Sequence, residues 1–300
     1  MGYHRPALLH ECIEGLNIRP EGLYVDLTFG GGGHSLEVLK KLGKKGRLVV
    51  FDQDQDALAN VPDDKRVTFV GANFRYLRNY LRYHAIEKTD GILADLGISS
   101  HQIDIPERGF SFKTDTGLDM RMDVRSKITA AELLNSYTLE GLTAVFRNYG
   151  EISNAWALAT AVDKARKVQP LATTVDLEKA LKSFIPRGKP SKFLAKVYQA
   201  LRIEVNAEMD ALREMLLQTT QALGPGGRLV VITYHSIEDR LVKNFMRSGN
   251  LKGEIAKDFY GRPQTPWKLV NRSVITPSSE ELMENNRARS AKLRIAERVE

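Results

Sequence analysis

The sequence predicts an α/β fold, a Rossmann-like parallel sheet with helices on both faces, interrupted by an inserted helical domain. Three observations carry this. Strand and helix signals alternate over the first hundred residues, a glycine-rich turn follows the first strand, and the next glycine-announced strand comes only after a long helical stretch.

Taken in order, residues 22–28 (GLYVDLT) read as a strand running into glycines. Residues 35–42 place Leu36, Leu39 and Leu42 at helical spacing. A strand at 47–52, a short helix from Asp54, a strand at 67–70, a helix at 74–83 and a strand at 91–96 follow. The next strand, 228–233, is announced by Gly224, Pro225, Gly226 and Gly227. One long amphipathic helix is expected before it, over 192–223, with Phe193, Val197, Leu201, Val205, Met209, Leu212 and Leu216 along one stripe. A crossover needs only that helix and short loops, so 97–191 is surplus. It opens with a polar, turn-rich stretch at 99–123, continues with helical patterns at 130–134, 139–149 and 155–166, and is punctuated by Pro170, Pro186 and Pro190. The expected domains are therefore 1–105 with 195–300 for the sheet, and 106–194 for a mostly helical insert. After the last strand, Ser236 reads as an N-cap with Asp239 three residues on, and 249–279 reads as loop-rich.

Hydrophobic residues make up 42% of the chain, enough for a sizeable core. No apolar run approaches the roughly 20 residues of a membrane span, and no signal-peptide pattern opens the chain. A cytoplasmic protein without membrane partners is expected. Cys12 is the single cysteine, which excludes a disulfide framework and a multi-cysteine zinc site. The net charge of +7 is unevenly spread. Residues 182–202 hold six basic side chains and no acid, 240–272 hold eight against two, and 287–298 hold five against one. Such clusters suit a nucleic-acid partner better than ordinary solvated surface.

The turn Asp26-Leu-Thr-Phe-Gly-Gly-Gly-Gly-His34 follows the first strand, and Asp52 ends the second. An acid there hydrogen-bonds ribose hydroxyls in Rossmann-like sites. The dinucleotide fingerprint needs glycine at its sixth position, where this chain has Ser35 or Leu36 according to the starting glycine. A nicotinamide-dependent dehydrogenase is disfavoured on that ground. An acid leading into the glycines fits S-adenosylmethionine, a ligand without phosphate. Phe74, after the third strand, can pack on adenine, although on its own it is more often a core residue. Asp95 ends the fourth strand, at the sheet edge where ligands bind. A carboxylate there can accept a hydrogen bond from an exocyclic base amine and take up its proton. Carbon-5 methylation of cytosine would need a cysteine nucleophile, and Cys12 lies before the first strand. No metal-ligand cluster is visible, and none is needed for this chemistry.

These residues belong to ordered blocks that resemble the MraW/RsmH family over nearly the whole chain: 4–9 (HRPALL), 26–35, 90–104, 107–112 (ERGFSF), 118–123 (LDMRMD), 199–206 (QALRIEVN), 235–240 (HSIEDR) and 286–294 (NRARSAKLR). The resemblance implies a class I methyltransferase domain interrupted by a helical, substrate-recognising domain. It implies S-adenosylmethionine-dependent N4-methylation of a decoding-centre cytidine in 16S rRNA, within the small ribosomal subunit. Carried across position by position, it places the donor at Gly32, Gly33, His34, Asp52, Phe74, Asp95 and Gln102, with Asp95 catalytic. This chain departs from the family at Tyr234 and Tyr198, where Phe is usual, and at Gly117 and His101, where Pro is usual. Asp95-Leu-Gly-Ile98 also lacks the Pro-Pro-aromatic of ordinary amino-methyltransferases, so Phe110, Phe112 and Tyr234 all stand as candidates to stack on the target base. DNA as substrate, or RNA binding without catalysis, are the competing readings.

Overall fold

The computed structural model describes residues 6–299; His4 and Arg5 of the first matching block lie outside them. The chain divides into two compact units, Met1–Gly97 with Asp210–Glu300, and Ile98–Met209.

The first unit opens on α1 (Leu9–Leu16), then β1 (Leu23–Asp26), α2 (Gly33–Lys41), β2 (Arg47–Phe51), a 3-10 turn at Gln55–Asn60, β3 (Val67–Val70), α3 (Leu77–Tyr83) and β4 (Thr89–Asp95). The second unit holds α4 (Ser100–Asp104), α5 (Ala130–Ser136), α6 (Leu139–Asn148), α7 (Ala155–Val168), α8 (Thr174–Leu181) and α9 (Pro190–Val205). Helix α10 (Glu208–Ala222) begins in the second unit and continues in the first. It leads to β5 (Leu223–Thr233), α11 (Ser236–Ser248), a hairpin of β6 (Ala256–Lys257) and β7 (Pro263–Gln264), β8 (Trp267–Leu269), α12 (Ser279–Glu284) and β9 (Lys292–Arg298).

The sheet runs β3-β2-β1-β4-β5-β9-β8. The strands from β3 to β5 are parallel, which gives the Rossmann-like sheet that the alternating pattern predicts. Strand β9 is antiparallel to β5, and β8 antiparallel to β9. Residues 249–279 are loop-rich as expected, with only the short β6, β7 and β8 in them, whereas β9 corrects the expectation of a basic tail. Strand β9 buries Leu293 and Ile295, and between them Arg294 clamps Asp239 of α11 at 2.8 and 3.1 Å. Along the parallel strands, Leu48, Val50, Leu93, Val230 and Ile232 share a core with Cys12, Ile13 and Leu16 of α1 and Val38 and Leu39 of α2. On β2, Phe51 packs edge-on against Tyr80 of α3. Residue alternation across the pleat puts successive side chains on opposite faces, which is why both faces need helices.

The single helix expected over 192–223 is two helices. The break falls at Asn206 and Ala207, and Ala207 adopts a left-handed backbone, φ +47°. Asn206 explains the break: its side chain accepts from Met122 N (2.7 Å) and donates to Met120 O (2.8 Å), sewing the 118–123 loop to the helix end. The boundaries move accordingly. Val197, Tyr198 and Leu201 of α9 belong to the core of the second unit with Phe146, Leu158 and Leu177, so the return into the sheet unit comes after 209 and not at 195. Helix α4 likewise falls in the second unit, moving the first boundary from 105 to 97. The N-cap of α11 is His235, one residue before Ser236: its Nδ1 accepts from Glu238 N at 3.4 Å, while Asp239 is engaged by Arg294. Arg202 of the first basic cluster is tied up as well, held by Glu208 at 2.7 and 2.9 Å. Among the described residues, no helix is long and apolar enough to cross a membrane.

Candidate active site

The C-terminal edge of the parallel sheet gathers three carboxylates: Asp26 at the end of β1, Asp52 just after β2, and Asp95 at the end of β4. Asp26 is buried and fully engaged, accepting from Thr28 N (3.0 Å) and Ser35 Oγ (2.7 Å). It thereby folds the turn back onto α2. Thr28 passes the restraint on, since its hydroxyl accepts from Asp95 N at 2.7 Å and fixes the end of β4 to the turn after β1.

The turn itself needs glycine for two different reasons. Gly32 has φ +77°, and a Cβ on it would also meet the Phe29 ring at 3.0 Å. A Cβ on Gly33 would collide with the Pro6 ring, so that glycine answers to the preceding chain segment. His34 is buried in the first turn of α2 with Nε2 3.1 Å from Ala7 O, where it donates. That contact turns Nδ1 toward Asp95, whose Oδ2 is 3.9 Å away.

Asp52 accepts from Gly30 N (2.7 Å) through one oxygen and from Asp54 N (2.8 Å) through the other. Each oxygen keeps a lone pair for a further donor. Burial, only partly offset by these bonds, raises its pKa to about 6. Phe74 opens a short 3-10 turn after β3. Its neighbour Asn73 donates to Gln53 Oε1 at 2.7 Å, tying that turn to the residue after Asp52.

Asp95 is partly buried, with its side chain 22% exposed. Burial raises its pKa to about 6, against the lowering influence of His34 and of Tyr234. The Tyr234 hydroxyl donates to Asp95 Oδ1 at 2.8 Å. Its ring lies along Gly97, where a Cβ would sit 3.4 Å from Cδ2. Of the aromatics expected to stack on a base, Tyr234 is thus bonded to the carboxylate. Phe110 is buried in the core of the second unit, and Phe112 packs edge-on against Tyr198 there. Sequence spacing gives no sign of the Thr28 and Tyr234 contacts with Asp95, which span 67 and 139 residues. A hydroxyl two residues after a strand-end aspartate is the one local hint of Thr28.

The structure brings Gly32, Gly33, His34, Asp52, Phe74 and Asp95 into the first unit, from strand ends, turns and the start of α2 at one sheet edge. Gln102 belongs to the second unit, where it is buried and completes a capping box on α4: Ser99 N donates to Gln102 Oε1 at 3.1 Å and Gln102 N to Ser99 Oγ at 3.2 Å. Cys12 is fully buried. Burial, and then the negative charge of Asp95, pushes its thiol well above the usual range. It is therefore a neutral thiol, which is a stronger ground against a covalent nucleophile than its place in the sequence.

The chain is 56% identical over 296 residues to the ribosomal RNA small subunit methyltransferase H of Bacteroides thetaiotaomicron, covering 99% of this chain and 97% of that protein. It is 56% identical over 298 residues to the protein of the same name from Parabacteroides distasonis, covering 99% and 98%. With that of Flavobacterium johnsoniae it shares 52% over 299 residues, covering 100% and 99%. A family model described as the MraW methylase family matches residues 1–299. The chain belongs to the MraW methylase family.

Proposed function

We propose that this methylase transfers a methyl group from S-adenosylmethionine to the N4 amine of a decoding-centre cytidine in 16S rRNA, acting in the cytoplasm on the small ribosomal subunit. The observation that carries the reading is Asp95: a partly buried carboxylate at the C-terminal edge of the sheet, with a pKa raised to about 6, Oδ1 accepting from Tyr234 and Oδ2 3.9 Å from His34 Nδ1. The relatives named above, called small subunit rRNA methyltransferases, support the choice of RNA.

The donor set fits the methyl donor. S-adenosylmethionine is cationic at its sulfonium and ammonium and offers two ribose hydroxyls as donors. The edge offers carboxylates with spare lone pairs at Asp52 and Asp95. Asp26 raises the pKa of both through its charge, a repulsion that a bound cation relieves. Asp52 would take the ribose hydroxyls, Phe74 would pack on adenine, and Gly32, Gly33 and His34 would line the donor's amino-acid end. Gln102 would serve from the second unit, within the inserted helical domain that we assign to substrate recognition.

When bound, the donor supplies an electrophilic methyl group. The amine's lone pair is delocalised into the cytosine ring, which makes the nitrogen a poor nucleophile. Asp95 accepts a hydrogen bond from that N–H, favours the pyramidal nitrogen and receives the proton as the methyl is transferred. Tyr234 stabilises the carboxylate form, and Thr28 fixes the backbone beneath it. In-line positioning contributes the remainder, about 7–11 kcal/mol at its upper end. Incubation with labelled donor and 30S particles, followed by nucleoside mapping, tests this. N4-methylcytidine at one position is expected; label on carbon 5 or on another base overturns the assignment.

A further inference from the structure

The opposite, N-terminal edge of the same sheet carries features that the methyl-transfer site does not use. A cleft of about 790 Å³ opens between the end of α3, the start of β4 and the end of α10. Arg78, Arg82, Lys88 and Arg298 line it, against one acid, Glu87. Arg78 and Lys88 donate to Gln221 O at 3.1 and 2.9 Å, and Arg298 donates to Thr220 O at 3.1 Å. Those acceptors are neutral carbonyls. None of the four cations pairs with a carboxylate among the described residues, so their charge stays uncompensated.

Arg298 also donates to Pro266 O at 3.2 Å, at the foot of the β6–β7 hairpin. The hairpin tip is rigid. Asp258 accepts from Tyr260 N (2.9 Å) and Arg262 N (2.8 Å) through its side chain, and its own N–H donates to Arg262 O at 2.9 Å. Gly261 closes the turn at φ +78°. This tip presents Phe259 at 98% and Tyr260 at 79% exposure. The two rings are edge-on at 5.6 Å, with Arg262 over Tyr260 at 5.7 Å. A pinned turn that holds two aromatic rings in water gains nothing for the fold. Lys252, Lys257 and Lys268, in the flanking sequence, are exposed.

We infer that this edge is a second RNA-holding surface, in which the cleft cations take phosphates while Phe259 and Tyr260 stack on unpaired bases. The inference rests on the proposed RNA substrate. Aromatic faces interleaved with cations are the chemistry of single-stranded nucleic-acid binding, because every base has a face to stack and every linkage a charge. Strand β4 runs from this edge to Asp95, seven residues or about 20 Å. An RNA held here and methylated at Asp95 must therefore extend around the unit.

The test measures the Kd of the full chain for a 16S rRNA transcript across a salt series. It compares wild type with Phe259→Ser/Tyr260→Ser and with Arg82→Gln/Lys88→Gln, all changes at exposed or cleft side chains whose unfolding would show as a lowered Tm. The aromatic variant is expected to bind about 10-fold more weakly or worse, with the salt slope unchanged. The charge variant is expected to lose about 0.7–0.9 of slope per phosphate contact. Donor affinity stays at the wild-type value in both. Wild-type Kd and slope in both variants overturn the inference while leaving the RNA substrate standing. A wild type that does not bind RNA overturns both. Binding of wild type to anionic phospholipid vesicles that is lost in the aromatic variant, with RNA affinity unchanged, assigns the tip to a membrane instead.

Discussion

At one edge of the sheet the strands end on Asp26, Asp52 and Asp95; at the other, Arg78, Arg82, Lys88 and Arg298 surround an open cleft. The two edges differ in solvent as much as in sign. The acids are desolvated, so their pKa values climb to about 6 at Asp52 and Asp95. The cations line an open cleft, Arg82 and Lys88 exposed and Arg78 and Arg298 partly so, where salt screens them. One edge should thus respond to pH and the other to ionic strength. A cationic small ligand and an anionic polymer ask for opposite chemistry, and a parallel sheet can offer each at a separate end.

The sharpest way to break the comparison is at Asp95. Asp95→Ala should lower turnover by about 10²–10⁴-fold, as expected for removal of a general base, while donor affinity falls far less. In the wild type, kcat/KM should decline as pH drops through about 6, because the carboxylate is the working form. Single-turnover rates from pH 5 to 8 check both; a flat profile would remove Asp95 from proton transfer. Asp52→Ala should weaken the donor by about 1.5–3 kcal/mol, through loss of hydrogen bonds to a charged group. Calorimetry reads this directly, and unchanged affinity with an intact fold would sink the ribose role.

The same carboxylates make a prediction about stability. A folded-state pKa above the unfolded value means that folding favours the neutral form. The associated stability is present below about pH 4 and is lost as pH rises through about 6. Asp95→Asn removes that penalty while leaving an oxygen for Tyr234. It should stabilise the inactive protein at pH 7 by up to about 3 kcal/mol, read as a Tm rise of several degrees that vanishes near pH 4. An unchanged Tm at pH 7 would mean that the site is solvated enough to relax. The smallest effect belongs to Cys12→Ala, which should leave turnover near wild type, because the buried thiol is protonated. A large loss without unfolding would revive covalent chemistry.

How much of this could be read beforehand follows from how local the signals are. The parallel strands and the glycine turn were legible because apolar runs and turn residues are adjacent in sequence. Asp52 and Asp95 stand at strand ends, so position alone nominated them. Strands β8 and β9 were not legible: three residues carry no period, and 292–298 alternates bases with apolar side chains in a way that also suits an exposed tail. The break at Asn206 was hidden because an apolar stripe continues across it, and only the long-range bonds to Met120 and Met122 show why the helix stops. Arg202 and Arg294 counted as free charge until Glu208 and Asp239 were found beside them. Tyr234 stood out as a departure from Phe, yet its hydrogen bond to Asp95 depends on two strands meeting.

The contact of Pro6 with Gly33 has a consequence for sequence change. Position 33 is closed to any side chain while a proline ring fills the space above it, and the adjoining pair, Ala7 and His34, is joined by a hydrogen bond. The two segments must therefore vary together: Gly33→Ala alone should be costly, and the same change should be tolerated once Pro6 is made smaller. What the glycine turn admits is decided by the chain laid across it.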